Sequence, residues 1–266
     1  MAEGDSMHFN TGNRDALEWV TSALGAGYST DYGPPGYADF VGIGTISKMP
    51  LDFEAQPYEY VLMPRPANDV ELGMVALNRY MVVSRHIVNG VEVTIGGLHL
   101  EWFGDPTASV NKIVEWFDEH VSGPAIILGD FNLEPSGGNS NSPNATAWDA
   151  LDEAGWVPTT PTECVKPTRQ HVCKSANPTA SVTKHCPFPC KGYQLDWILY
   201  KQGQPGTGTL TFVTGNVEAE PIPAASGLSF LDDQHDQDIT FCSDHWALVA
   251  HFTVDSSNTG SWQSSG

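Results

Sequence analysis

Two short phrases more than a hundred residues apart, Gly129-Asp130-Phe131-Asn132 and Ser243-Asp244-His245, hold the residue types that chemistry on a phosphate ester calls for. The first closes the apolar run Ala125-Ile126-Ile127-Leu128, and the second opens the run Trp246 to Val254. Alternate strand residues point the same way, so Asp130 and Asn132 are expected to present their side chains together at a strand's end. A carboxylate and an amide there, facing an imidazole at another strand end, suit attack of water on a phosphate ester with help from magnesium. Magnesium takes oxygen ligands and keeps several waters, so one or two carboxylates are enough. The plainer alternative is a turn in which Asp130 and Asn132 cap backbone amides.

His245 can take a proton from water if a carboxylate fixes its tautomer and raises its basicity. Asp196, in Tyr193-Gln194-Leu195-Asp196-Trp197-Ile198-Leu199, is the candidate, because a charge within an apolar strand is costly unless paired. An edge-strand Asp facing solvent is the alternative, and Gln194 on the same face favours it. His99 ends the run Val91 to Leu98, where an imidazole can donate a hydrogen bond to charge building on a phosphate oxygen. A lone histidine at a strand end is more often structural, and the other histidines receive no role.

The elements that must position these groups follow from periodicity. Leu17, Val20 and Leu24 mark a helix over Asp15 to Leu24 that stops at Gly25. Phe40 to Ser47 reads as a strand, and Met81 to Val88 with Val91 to Leu98 reads as a hairpin about the primed turn Asn89-Gly90. Asp105-Pro106 starts a helix running to about His120, with Ile113, Trp116, Phe117 and Val121 inward. A second helix spans Ala145 to Ala154, capped by Asn144 and closed by Gly155. Tyr193 to Tyr200, Thr209 to Val213 and Trp246 to Val254 are strands. Strands interspersed with single helices imply an α/β sandwich of two facing mixed sheets with helices outside. One domain over 1–254 is expected, with a cysteine-rich loop at 157–192 and a polar tail at 255–266.

The 266 residues, 40% hydrophobic, suffice for one large core. Twelve basic residues against 32 acidic ones leave a net charge of -20, which repels a polyanion and supplies few cations for counterion release. Nucleic acid is therefore a poor partner, and a monomer is expected. Of five cysteines, Cys164, Cys173, Cys186 and Cys190 cluster in the long loop, and Cys242 sits beside Ser243. Clustering favours disulfides, hence a secreted protein or another oxidising compartment, over a zinc site that would add His185 to those four cysteines. Asn144-Ala145-Thr146 is also a glycosylation sequon, though a helix cap is the safer assignment for Asn144. No apolar stretch spans a bilayer, and Met1 to Met7 is no secretory leader, so an exported form would have lost its leader or carry it upstream.

The ordered set Leu98-His99, Gly129 to Asn132, Gln194 to Trp197 and Ser243 to His245, each beside a strand, resembles the endonuclease/exonuclease/phosphatase superfamily over residues 12–254. The resemblance implies a four-layer α/β sandwich, a divalent cation (magnesium, with manganese or calcium as alternatives) and a role for each motif. By it Asp196 orients His245 as general base, Asp130 and Asn132 stand at the metal and the attacked phosphorus, His99 contacts the phosphate, and Asp244 lies at or near the metal. Leu98 replaces a threonine of many relatives and leaves the histidine intact. Cys186-Pro187-Phe188-Pro189, His99 to Trp102 and Ser47 to Leu51 look like the neutral sphingomyelinase branch, implying hydrolysis of sphingomyelin to ceramide and phosphocholine.

Relatives carry an asparagine on the first strand and, a helix later, a glutamate that is the principal magnesium ligand. This chain is expected to begin after both and to lack the first strand, with Glu3 able to serve as that ligand if the sequence starts on its strand. Two rivals stand beside the phospholipid diesterase: a DNase-like nuclease or phosphoinositide phosphatase, and a binding module that has lost its metal. Trp102 and Phe103 could touch a lipid surface, although aromatics at a strand end are more often core.

Overall fold

The computed structural model describes residues 2–5, 22, 24–33, 41–48, 58–64, 79–101, 104–133, 143–159, 195–217 and 248–256. Ala2–Asp5 (β1), Ser29–Gly33 (β2) and Val41–Ser47 (β3) pair antiparallel in the order β1-β3-β2. Tyr58–Leu62 (β4), Tyr80–Val88 (β5), Val91–His99 (β6), Ala125–Asp130 (β7), Val157–Pro158 (β8) and Asp196–Lys201 (β9) form a six-stranded sheet. Its order is β4-β5-β6-β7-β9-β8. Thr209–Val217 (β10) and Leu248–Asp255 (β11) make an antiparallel pair, and Thr107–His120 (α1) and Pro143–Glu153 (α2) are helices. The fold is the mixed α/β sandwich of stacked sheets and flanking helices that the motifs imply.

Local rules account for the strongest elements. Asn89 and Gly90 have φ of 51° and 78°, the left-handed pair that a primed hairpin turn requires, and β5 and β6 pair from Val88–Val91 out to Met81–Leu98. Asp105 Oδ1 accepts the Thr107 N–H at 2.9 Å and Pro106 opens the first turn, so α1 begins as the sequence suggests. Its buried stripe Val110, Ile113, Trp116 and Phe117 packs on one face of the six-stranded sheet with Ala147 and Leu151 of α2 and with Trp156. Met81, Val83, Leu98, Ile127, Trp197 and Leu199 supply the sheet side of that core.

Strand alternation turns the intervening residues to the other face. There Val91, Val93, Ile95, Ile126 and Tyr200 meet Leu210, Phe252 and Val254 of β10 and β11. A register shift between Phe212 and Thr214 puts an exposed Val213 at a bulge. β3 packs against β5 and β6. Among the described residues, no helix is long and apolar enough to cross a membrane.

Several boundaries differ from the sequence reading. Asn144 lies inside α2 rather than capping it, because Pro143 has the fixed φ and absent N–H that suit the first helical turn. Val157 and Pro158, expected to open the cysteine-rich loop, are instead strand residues paired with Tyr200 and Leu199, and residues 160–192 of that expected loop lie outside the described residues. Strand β9 starts at Asp196, so Asp196 stands at a strand end and not within an apolar run. The helix expected over Asp15 to Leu24 falls outside the described residues except for Ser22 and Leu24, which are helical. All five cysteines, His185, Trp102 and Phe103 also lie outside them.

Candidate active site

The two central pairings of the large sheet align its chemistry. β6 and β7 run parallel with His99 opposite Asp130, and β7 and β9 run antiparallel with Asp130 opposite Asp196. Residues in register on neighbouring strands share a face with Cα atoms about 5 Å apart. His99, Asp130 and Asp196 thus form a row across three adjacent strands. It lies on the face whose other end is sealed by β10 and β11.

Gly129 sets up the turn that ends β7. Its φ is 139°, and a Cβ there would come within 1.9 Å of the Leu98 carbonyl oxygen, so only glycine lets β7 approach β6 this closely. The Asp130 carbonyl still accepts the Leu100 N–H at 2.8 Å, and the Phe131 N–H donates to the Leu195 carbonyl at 2.9 Å. Phe131 and Leu133 then drop fully into the core, and the buried Trp197 Nε1–H donates to the Leu133 carbonyl at 3.0 Å. The acidic residue between β6 and β9 is therefore fixed from both sides.

Asp130 is 7% exposed. Its Oδ1 accepts the Asn132 N–H at 2.8 Å, while Oδ2 lies 3.6 Å from His99 Nε2. Asn132 has φ of 49°, a left-handed conformation that asparagine tolerates, and its Nδ2 donates to the Leu100 carbonyl at 2.8 Å. The turn reading of Gly-Asp-Phe-Asn holds for Asp130, since one carboxylate oxygen builds the turn while the other faces an imidazole. Asp130 and Asn132 meet through this turn and not through strand alternation, because the strand ends at Asp130.

Arg79 and Glu101, which the sequence reading passed over, complete the described cluster. Arg79 Nη1 is 3.2 Å from His99 Nδ1, and its Nε and Nη2 reach Glu101 at 3.3 and 3.4 Å. Hairpin register would have found them. Counting outward from Asn89-Gly90 brings Arg79 level with Leu100, between His99 and Glu101.

Two carboxylates directly opposite each other on neighbouring strands repel unless positive charge lies between or beside them, and this oxygen-rich pair suits a hard divalent cation. Among the described residues no group of three or more His, Cys, Asp or Glu could hold a metal ion. The remaining ligands would be water, substrate oxygen or acids elsewhere. Asp244 and His245 lie outside the described residues. Glu3 is on β1, paired with Ile43 of β3 and not with any strand of the six-stranded sheet.

Solved structures share this fold. An endonuclease/exonuclease/phosphatase from Beutenbergia cavernae DSM 12333 is 18% identical with a TM-score of 0.55, over 91% of this chain and 58% of that one, so this chain spans less than two thirds of that relative. A family protein from Bacteroides thetaiotaomicron is 15% identical with a TM-score of 0.57, over 90% of this chain and 79% of that one. The mannosyl-6-phosphatase of Bacteroides thetaiotaomicron VPI-5482 is 14% identical with a TM-score of 0.55, over 89% and 80%. No curated protein matches the sequence. The model of the Endonuclease/Exonuclease/phosphatase family matches residues 8–245, a span that contains His99, Asp130, Asn132, Asp196, Asp244 and His245. The chain belongs to that family.

Proposed function

We propose that the protein is a metal-dependent phosphodiesterase that hydrolyses a phospholipid head-group linkage, with sphingomyelin as preferred substrate and phosphocholine and ceramide as products. The observation that carries this is the in-register row of His99, Asp130 and Asp196 with Asn132 beside it. A magnesium ion held by Asp130, with Asp244 and Glu3 as further acids, would supply positive charge to a phosphate oxygen.

The chain's own groups do the rest. His99 and Asn132 hold the phosphate, and the partly buried setting strengthens their hydrogen bonds to charge that develops during attack. His245 takes the proton from the attacking water, and Asp196 orients its ring. The charge of -20 opposes a polyanionic substrate and tolerates a head group that carries its own cation, which supports a choline phospholipid over DNA.

Sphingomyelin vesicles incubated with the protein and magnesium are expected to release phosphocholine, and chelation is expected to stop release. Nicking of plasmid DNA without phosphocholine release would overturn the substrate. Absence of hydrolysis on both would overturn the enzyme reading in favour of a binding module.

A further inference from the structure

His99 sits between two charged partners that differ in what they permit. A guanidinium is planar, carries only donors and stays protonated, so it can never accept a hydrogen bond. With Arg79 Nη1 3.2 Å from His99 Nδ1, that ring nitrogen can serve only as acceptor. The proton of the neutral ring is then left on Nε2, the nitrogen 3.6 Å from Asp130 Oδ2.

Glu101 makes this arrangement rigid. Its two oxygens take Nε and Nη2 of the same guanidinium at 3.3 and 3.4 Å, leaving Nη1 to point at the imidazole. The side chains of Arg79 and Glu101 are 13% and 8% exposed, so water screens the pair little. Both flank the ends of the β5–β6 hairpin, where the Leu98–Met81 pairing sets their spacing. Nothing in the proposed chemistry otherwise uses this partly buried arginine.

We propose that Arg79, clamped by Glu101, is a positioning residue that holds His99 as the Nε2–H tautomer, with that N–H aimed past Asp130 at the phosphate. The inference rests on the proposed phosphodiesterase reading for its catalytic meaning, but the tautomer itself exists without substrate. Without the arginine Nδ1 can also carry the proton, even with Asp130 Oδ2 3.6 Å from Nε2, and the Nδ1–H form presents a lone pair where the phosphate needs a donor.

Long-range proton–nitrogen correlation spectra of the whole chain, with His99 identified by its loss in His99→Gln, read the tautomer directly. The expected result is a proton on Nε2 and a bare Nδ1, turning to a mixture in Arg79→Met. Glu101→Gln keeps the arginine and loosens its clamp, so it is expected to give a smaller change in the same direction. If Arg79→Met fails to fold, the parent chain and Glu101→Gln decide. A proton on Nδ1 in the parent chain, or a ring unchanged when its clamp is altered, would overturn the proposal. On sphingomyelin vesicles Arg79→Met is expected to lower kcat by about tenfold to a hundredfold at nearly constant KM. The Nε2–H form in a chain with no turnover keeps this inference and discards the phosphodiesterase, whereas turnover with the Nδ1–H form does the reverse.

Discussion

Asp130 divides its two oxygens between structure and chemistry, and that division governs what each substitution should do. Oδ1 holds the turn through Asn132 and Oδ2 faces His99. His99→Ala removes a donor at the phosphate without touching the turn, so kcat should fall by about a hundredfold or more with folding retained. Steady-state kinetics with a melting curve on the same sample checks both halves. Asn132→Ala should act differently: it forces alanine into a left-handed conformation and leaves the Leu100 carbonyl without its donor, at about 1–3 kcal/mol. A urea titration would show that loss alongside reduced activity. Asp130, Asn132 and His99 were legible in the sequence because each lies beside an apolar run that marks a strand end. Arg79 was not, because its meaning arises only when two strands are brought into register.

His86 makes a residue-scale prediction about pH. It is buried, its Nε2 is 2.9 Å from Ser84 Oγ, and its Nδ1 has no hydrogen-bond partner among the described residues. Burial holds its pKa below the ordinary 6.5. The unfolded chain therefore takes up a proton near 6.5 that the folded chain refuses. The His86 contribution to stability is full above about 6.5 and is lost as the pH falls from there through the folded value. Chemical denaturation of the parent chain and His86→Gln from about pH 7 to about pH 5 should give a shallower slope for the variant. Equal slopes would mean that the imidazole titrates alike in both states.

At the scale of elements, β6 and β7 approach each other closely at Gly129. Gly129→Ala would drive a methyl group into the Leu98 carbonyl at a φ that alanine avoids, and should cost about 3 kcal/mol or more or prevent folding. Circular dichroism melting of that variant is the check, and an unchanged transition would refute the packing described for β7. Elements governed by local signals were readable: the Asn89-Gly90 hairpin, the Asp105-Pro106 start of α1 and the stop of α2 at Gly155. Strands β2, β4 and β8 were not. They are short and do not alternate clearly, and their stability comes from pairing with β3, β5 and β9. The edge of β9 shows the same limit, since Asp196 reads as part of an apolar strand but proves to be its first residue.

At the scale of the whole molecule, one sheet buries an apolar core under two helices on one face, and on the other it runs from an apolar end under β10 and β11 to the polar row of His99, Asp130 and Asp196. That gradient lets a rigid scaffold hold three ionisable groups at strand ends. The fold class followed from element order because strands alternating with single helices admit few layerings. The in-register row did not, because only the pairing of β6, β7 and β9 aligns its three residues.

The most direct test is phosphocholine release from sphingomyelin vesicles by the parent chain and by Asp130→Asn, each with magnesium and then with excess chelator. Asp130→Asn keeps the shape and the Oδ1 acceptor of the turn but removes the charge opposite Asp196. The account predicts magnesium-dependent release by the parent chain and loss of it in the variant with an unchanged melting transition. Release that survives chelation, or a variant as active as the parent, would contradict it.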